Sequence, residues 1–138
     1  MSERIHTIAV DFDGTIVTHE YPDIGLPVDG ALEVLRSLRD NKVKIILWTI
    51  RSDETLKAAA EWLEAWGIDL YGVNENPNQK HWSTARKVYA QLYIDDAALG
   101  CPLIHGKHER PYVDWAAVGS MLQSIGVIDK MPYMRSQP

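Results

Sequence analysis

The sequence predicts a three-layer α/β fold built on a mostly parallel, five-stranded sheet, and three observations carry that expectation. Short apolar runs rich in β-branched residues recur near 7–10, 43–48, 70–73 and 91–94. Segments whose apolar residues follow a helical period stand between and after these runs, the alternation expected of parallel strands covered on both faces. Carboxylates follow the first and fourth runs directly, as they would where strands end at a ligand site. No internal repeat or low-complexity segment competes with this reading.

The first run, Thr7-Ile8-Ala9-Val10, stops at Asp11 and reads as a buried strand that meets a functional loop. A Pro/Gly-containing excursion from Tyr21 to Gly30 follows. Ala31, Val34, Leu35 and Leu38 then recur at helical spacing, with Asp29 as the expected N-cap. Val43 to Trp48 gives the second strand, and Ser52 or Asp53 opens a helix with Leu56, Ala59, Ala60, Leu63 and Trp66 on one stripe and Gly67 as its stop. Leu70 to Val73 is the third strand. The polar stretch from Asn74 to Gln79 favours turns, so no helix is expected before His81. Gln91 to Ile94 is the fourth strand, and Pro102-Leu103-Ile104 a short fifth at the sheet's edge. Asp114 caps a last helix carrying Val118, Met121, Leu122 and Ile125, up to Gly126. Residues 127–138 form a tail without a clear pattern.

A length of 138 residues suits one domain, expected to span 1–138. With 46% hydrophobic and 24% charged residues the composition is that of a soluble globular protein. The formal charge of −5, with no Lys/Arg-rich stretch, argues against a nucleic-acid partner. No apolar run approaches the roughly 18 residues that a membrane span needs, so no membrane partner is expected. One cysteine, Cys101, cannot close an internal disulfide, and the first residues lack a secretory pattern. A reducing, cytoplasmic setting is therefore the expectation.

The sharpest signal is Asp11-Phe12-Asp13-Gly14-Thr15. Two carboxylates one residue apart in a tight loop after a strand allow one to attack and the other to carry a proton. An EF-hand calcium loop would need further oxygen ligands at alternate positions and flanking helices, whereas here a strand precedes and Ile16-Val17 follow.

With these neighbours, the motif resembles the first motif of the haloacid dehalogenase superfamily of aspartate-dependent phosphatases. The remaining motifs follow in order along 7–104. Thr49, after Leu47-Trp48, matches the second motif, whose hydroxyl binds the transferring phosphoryl oxygen. Lys87 matches the third, whose ammonium neutralises nucleophile and phosphate, with Lys80 as the second candidate. Asp95 and Asp96 match the fourth, in which one or the other completes a Mg2+ site with Asp11 and the backbone carbonyl of Asp13. The resemblance implies a Rossmann-like fold and a magnesium-dependent phosphohydrolase. Asp11 would attack phosphorus, and Asp13 would protonate the leaving oxygen and then activate water. A phosphotransferase using the same intermediate, or a non-catalytic module that binds magnesium and a phospho-ligand, are the alternatives. An acid at position 13 speaks against carbon–halogen chemistry, whose leaving group needs no proton.

Carboxylates and a phosphate dianion this close would repel one another by several kcal/mol per pair, so a divalent cation and a lysine are physically required. An all-oxygen donor set suits magnesium, and no Cys/His cluster of the zinc type is present. Superfamily members usually carry a cap domain after the first motif or before the third. Here 14–29 holds only a short flap and 74–87 a loop, which resembles the capless branch. Such an open site is closed either by a large substrate or by a lid lent by a second copy; the acidic balance favours the second, so a small phosphorylated substrate and a homo-oligomer are the expectation. Arg51, two residues past Thr49, is placed to hold a substrate anion, although a solvated surface role fits it as well. His19 and Tyr21 are equally divided between site and surface. Cys101 reads as a small buried residue, His105-Gly106-Lys107-His108 as a solvated turn, and Trp62 and Trp66 as helix packing residues.

Overall fold

A computed structural model describes residues 4–134 of the chain. Among them, four strands form one parallel sheet: β1 (Thr7–Val10), β2 (Lys44–Leu47), β3 (Leu70–Val73) and β4 (Leu92–Ile94), in the order β3-β2-β1-β4. Helix α1 (Ala31–Asp40) links β1 to β2, and α2 (Asp53–Ala65) links β2 to β3. Both crossovers step the same way along the sheet, so right-handed connections put both helices on one face. The last helix, α3 (Trp115–Ser124), packs against α1 on that face. This architecture is α/β and compatible with a Rossmann-like fold.

The expected fifth strand forms, but not in this sheet. β5 (Leu103–Ile104) pairs antiparallel with β6 (Tyr112–Val113) as a separate two-stranded ribbon. With only two residues each, they carried no alternation that would announce a partner. Helices also fail to cover the second face. Chain 74–91 crosses there as a loop with one 3-10 turn, Gln79–His81, and lays Val88 and Ala90 on Ala9 and Ile46. Helical layering is thus one-sided, and the third layer is a loop.

Strand alternation explains the main core. Ile8, Val10, Ile45 and Leu47 point to the helical face, where they meet Val34, Leu35, Leu38, Ala59, Leu63, Trp115 and Leu122, all buried. Each of the Val, Leu and Ile side chains contributes about 1.5–3 kcal/mol on leaving water. Helix α1 starts one residue later than expected: Gly30, at φ 81°, is the N-cap, and Asp29 makes no capping bond. Asp114 does cap α3, accepting from Ala117 N at 3.1 Å. Past α3, Val127 and Ile128 are buried in the main core, so the chain packs there beyond the last helix. The expected tail's final residues, 135–138, lie outside the described residues.

The register of the sheet fixes the site. Val10 is level with Leu47 and with Ile94, and Leu47 with Val73. Asp11, Trp48, Asn74 and Asp95 therefore leave the sheet at the same edge. The connection reverses direction between β1 and β4, and that switch point at the carboxyl ends is where open α/β sheets bind ligands.

Candidate functional site

Asp11, Asp95 and Asp96 converge at this switch point, each offering an oxygen such that all three lie within 4.8 Å of one another. Asp11 is tethered through its amide to Ile94 O at 3.0 Å, which ties the end of β1 to the end of β4. The following loop is a tight turn in which Phe12 O accepts from the amides of Thr15, Ile16 and Val17. Gly14 occupies φ 79°, and a β-carbon there would overlap the His19 imidazole and the Asp96 carboxylate. Only glycine meets both demands.

Thr15, fully buried, links Asp11 to Asp96. Its Oγ1 lies 3.0 Å from Asp11 Oδ2 and 3.4 Å from Asp96 Oδ1, and it accepts from Asp96 N at 3.1 Å. His19 Nε2 stands 3.0 Å from Asp96 Oδ2, so the flap after the first motif reaches the cluster. Asp95 accepts from Ala97 N at 2.9 Å.

Burial, aggravated by Asp96 and Asp95, pushes the Asp11 carboxyl up to about 8. Burial also raises Asp95, with the Asp96 carboxylate adding to the effect. Two carboxyls that burial keeps from ionising, next to a third carboxylate, fit a hard divalent cation, whose charge would favour their ionised forms. The donor set is all oxygen, as magnesium prefers.

Asp13 leaves this cluster. Its carboxylate forms a two-pronged pair with Arg51, Nε to Oδ2 and Nη2 to Oδ1, each 2.8 Å. Here the structure corrects the sequence expectation, which put Arg51 at the mouth holding a substrate anion. The residue is 2% exposed. Its remaining N–H groups donate to the carbonyls of Pro22, Asp23 and Thr55 at 3.2, 2.7 and 3.3 Å. All five guanidinium donors are used, and none is left for a substrate. The guanidinium also lies between the rings of Phe12 and Tyr21, at 5.1 and 5.2 Å from their centroids.

Thr49 sits beside the site at the end of β2. Its amide donates to Asn74 Oδ1 at 2.8 Å, and its Oγ1 accepts from Arg51 N at 3.2 Å. Asn74 holds φ 55°, uncommon for a residue with a side chain, and its own amide donates to Leu47 O at 2.7 Å. Lys87 is not paired with the carboxylates: it is exposed, and its Nζ lies 5.3 Å above the Tyr93 ring. Lys80, on the 3-10 turn, is exposed too.

Two supports of the site gave no sequence signal. Trp115, fully buried at the start of α3, donates Nε1–H to Thr15 O at 2.6 Å. Val113 N donates to Gly14 O at 3.0 Å. The last ribbon and helix thus brace the Asp11 loop from 100 residues away. Among the other candidates, Cys101 is half-buried and burial raises its thiol. His108 pairs with Glu20 at 3.1 Å. Trp62 packs edge-on to Phe12 at 5.7 Å, whereas Trp66 is substantially exposed.

No helix of the described residues is long and apolar enough to cross a membrane. Neither a protein-family model nor a curated protein matches the sequence. Among solved structures, a conserved protein from Bacteroides thetaiotaomicron matches at 37% identity and a TM-score of 0.74, over 89% of this chain and 93% of that one.

Proposed function

We propose that this chain, which belongs to the same family as the conserved protein from Bacteroides thetaiotaomicron, is a magnesium-dependent phosphohydrolase that cleaves small phosphate monoesters through an aspartyl-phosphate on Asp11. The observation that carries the reading is the convergence of Asp11, Asp95 and Asp96 at the carboxyl ends of β1 and β4, with Thr49 at the end of the neighbouring strand.

Asp11, Asp95 and Asp96 would hold Mg2+, together with the backbone carbonyl of Asp13. When bound, the cation would supply charge neutralisation for the phosphate and for the carboxylates around it. Asp11 is the nucleophile in this reading, oriented by the Thr15 hydroxyl. Thr49 offers its hydroxyl to a phosphoryl oxygen, and Lys87 would swing from Tyr93 to the same phosphate, since nothing but the ring holds it. Asp13 carries the proton, first to the leaving oxygen and then from the attacking water. Arg51 fixes that carboxylate through both oxygens, and each oxygen keeps a lone pair for the proton. Arg51 is thereby a positioning residue.

The fold is capless in this reading. Between the first motif and α1 the chain forms only a flap closed by the Val17–Pro27 bridge, and between β3 and β4 only the 74–91 loop. A second reading, a phospho-ligand-binding module without turnover, is favoured by one observation: both Asp13 oxygens already accept from Arg51.

The test is phosphate release from an aryl phosphate and a panel of sugar phosphates, with magnesium or chelator. Magnesium-dependent release that is lost in Asp11→Asn is the expected result. Tight phosphate binding with no release on any ester would establish the binding module instead.

A further inference from the structure

The loop between β3 and β4 has a charge opposite to the rest of the protein. The chain is −5 overall, yet the loop, 74–91, contains Lys80, Arg86 and Lys87 against one carboxylate, Glu75. This loop is held in shape without regular structure. Gln79, 7% exposed, donates Nε2 to Lys87 O at 2.9 Å and to Ala85 O at 3.4 Å, and accepts from Tyr89 N at 2.8 Å. Asn76 Nδ2 adds a bond to Tyr89 O at 3.1 Å.

The folded loop forms an open depression of about 220 Å³ whose polar lining includes Asn74, Asn76, Lys80, Ser83, Thr84 and Arg86, with the Glu75 carboxylate at its border. Asn74 is the residue that accepts the Thr49 amide, so the depression borders the segment whose hydroxyl the proposed function gives to the phosphoryl group. Among the described residues, neither Lys80 nor Arg86 makes an ion pair. Two unpaired cations and two hydroxyls line one small hollow beside a single carboxylate, Glu75, so positive charge outnumbers negative there in a protein that is acidic overall. That donor set recognises a dianion, with Arg86 able to present two parallel N–H groups to its oxygens.

We propose that this depression takes a second phosphate, so that the substrate is a small bisphosphate whose scissile ester lies at Asp11 and whose other phosphate rests between Lys80 and Arg86. The proposal rests on the phosphohydrolase reading. Chemically the reaction is unchanged: water cleaves one ester bond, inorganic phosphate leaves, and the second phosphate stays on the product.

The experiment compares kcat/KM for a hexose bisphosphate, the matching hexose monophosphate and an aryl phosphate, in wild type, Arg86→Gln and Arg86→Lys. Arg86 is exposed and supports nothing in the fold, so the variants should fold as wild type does. The expected result is at least a roughly tenfold preference for the bisphosphate over the monophosphate. Arg86→Gln should remove most of that preference through KM, Arg86→Lys should restore part of it, and aryl phosphate turnover should not change. Equal kcat/KM for the two hexose esters, or an equal loss on all three substrates in Arg86→Gln, would overturn the proposal while leaving the hydrolase reading intact. Should no ester be turned over, the hydrolase reading fails, and calorimetric binding of the same two hexose esters decides the depression by itself. A roughly tenfold tighter bisphosphate, lost in Arg86→Gln, supports it, and equal affinities overturn it.

Discussion

The Asp13 carboxylate and the Arg51 guanidinium meet side-on through two bonds of 2.8 Å, and the same guanidinium holds the carbonyls of Pro22 and Asp23 in the flap. One buried cation therefore joins the loop after β1, the flap and the start of α2. Its removal should be felt in both stability and activity.

Arg51→Met is expected to destabilise the fold by about 3 kcal/mol, because it leaves a partly buried carboxylate and three carbonyls without their donor. Arg51→Lys should recover little, since an ammonium cannot reproduce the fork. Urea unfolding of the three proteins measures this. A variant as stable as wild type would show that water replaces the guanidinium at no cost.

Trp115→Phe keeps the ring in the core but deletes the Nε1–H that Thr15 O accepts at 2.6 Å. A buried carbonyl left without a partner costs about 1–3 kcal/mol. The slackened Asp11 loop should also bind magnesium more weakly. Thermal unfolding and a magnesium titration check both effects. Lost stability with unchanged magnesium affinity would confine Trp115 to packing.

The carboxylate cluster gives a pH dependence of definite sign. Asp11 titrates at about 8 in the folded chain against an ordinary 3.8, so its folded-state pKa is raised. In chelator, its contribution to stability is fully present below the unfolded value and is lost as pH rises through the folded one. Magnesium competes with the proton, so the rise in Tm that it gives should be larger at about pH 8 than at about pH 5. Scanning calorimetry with and without magnesium at both pH values tests this. An equal gain at both would remove Asp11 from the metal site.

Much of the fold and part of the site could be read before the structure, and the division is physical. Thr7 to Val10 and Leu92 to Ile94 announced themselves by apolar runs that end in carboxylates, and the convergence of Asp11 with Asp95 and Asp96 follows once those strands are neighbours. Asp114 and Gly126 marked the ends of α3 because capping and positive φ are local demands. Arg51 could not be placed, since its partner Asp13 is 38 residues away and an ion pair leaves no periodic trace. Trp115 escaped for the same reason. The stretch from 74 was read as a loop, but not as the cover of the second face, because that packing depends on Gln79, a polar residue whose buried amide holds the loop in shape.

The central claim is that Asp11 becomes phosphorylated. Its most direct test is the intact mass of the protein after acid quenching during turnover of an aryl phosphate with magnesium. The account predicts an increment of one phosphoryl group in wild type, mapped to the peptide that carries Asp11 and missing from both Asp11→Asn and the chelator control. Steady phosphate release from wild type with no such increment under rapid quench, or an increment that persists in Asp11→Asn, would contradict it.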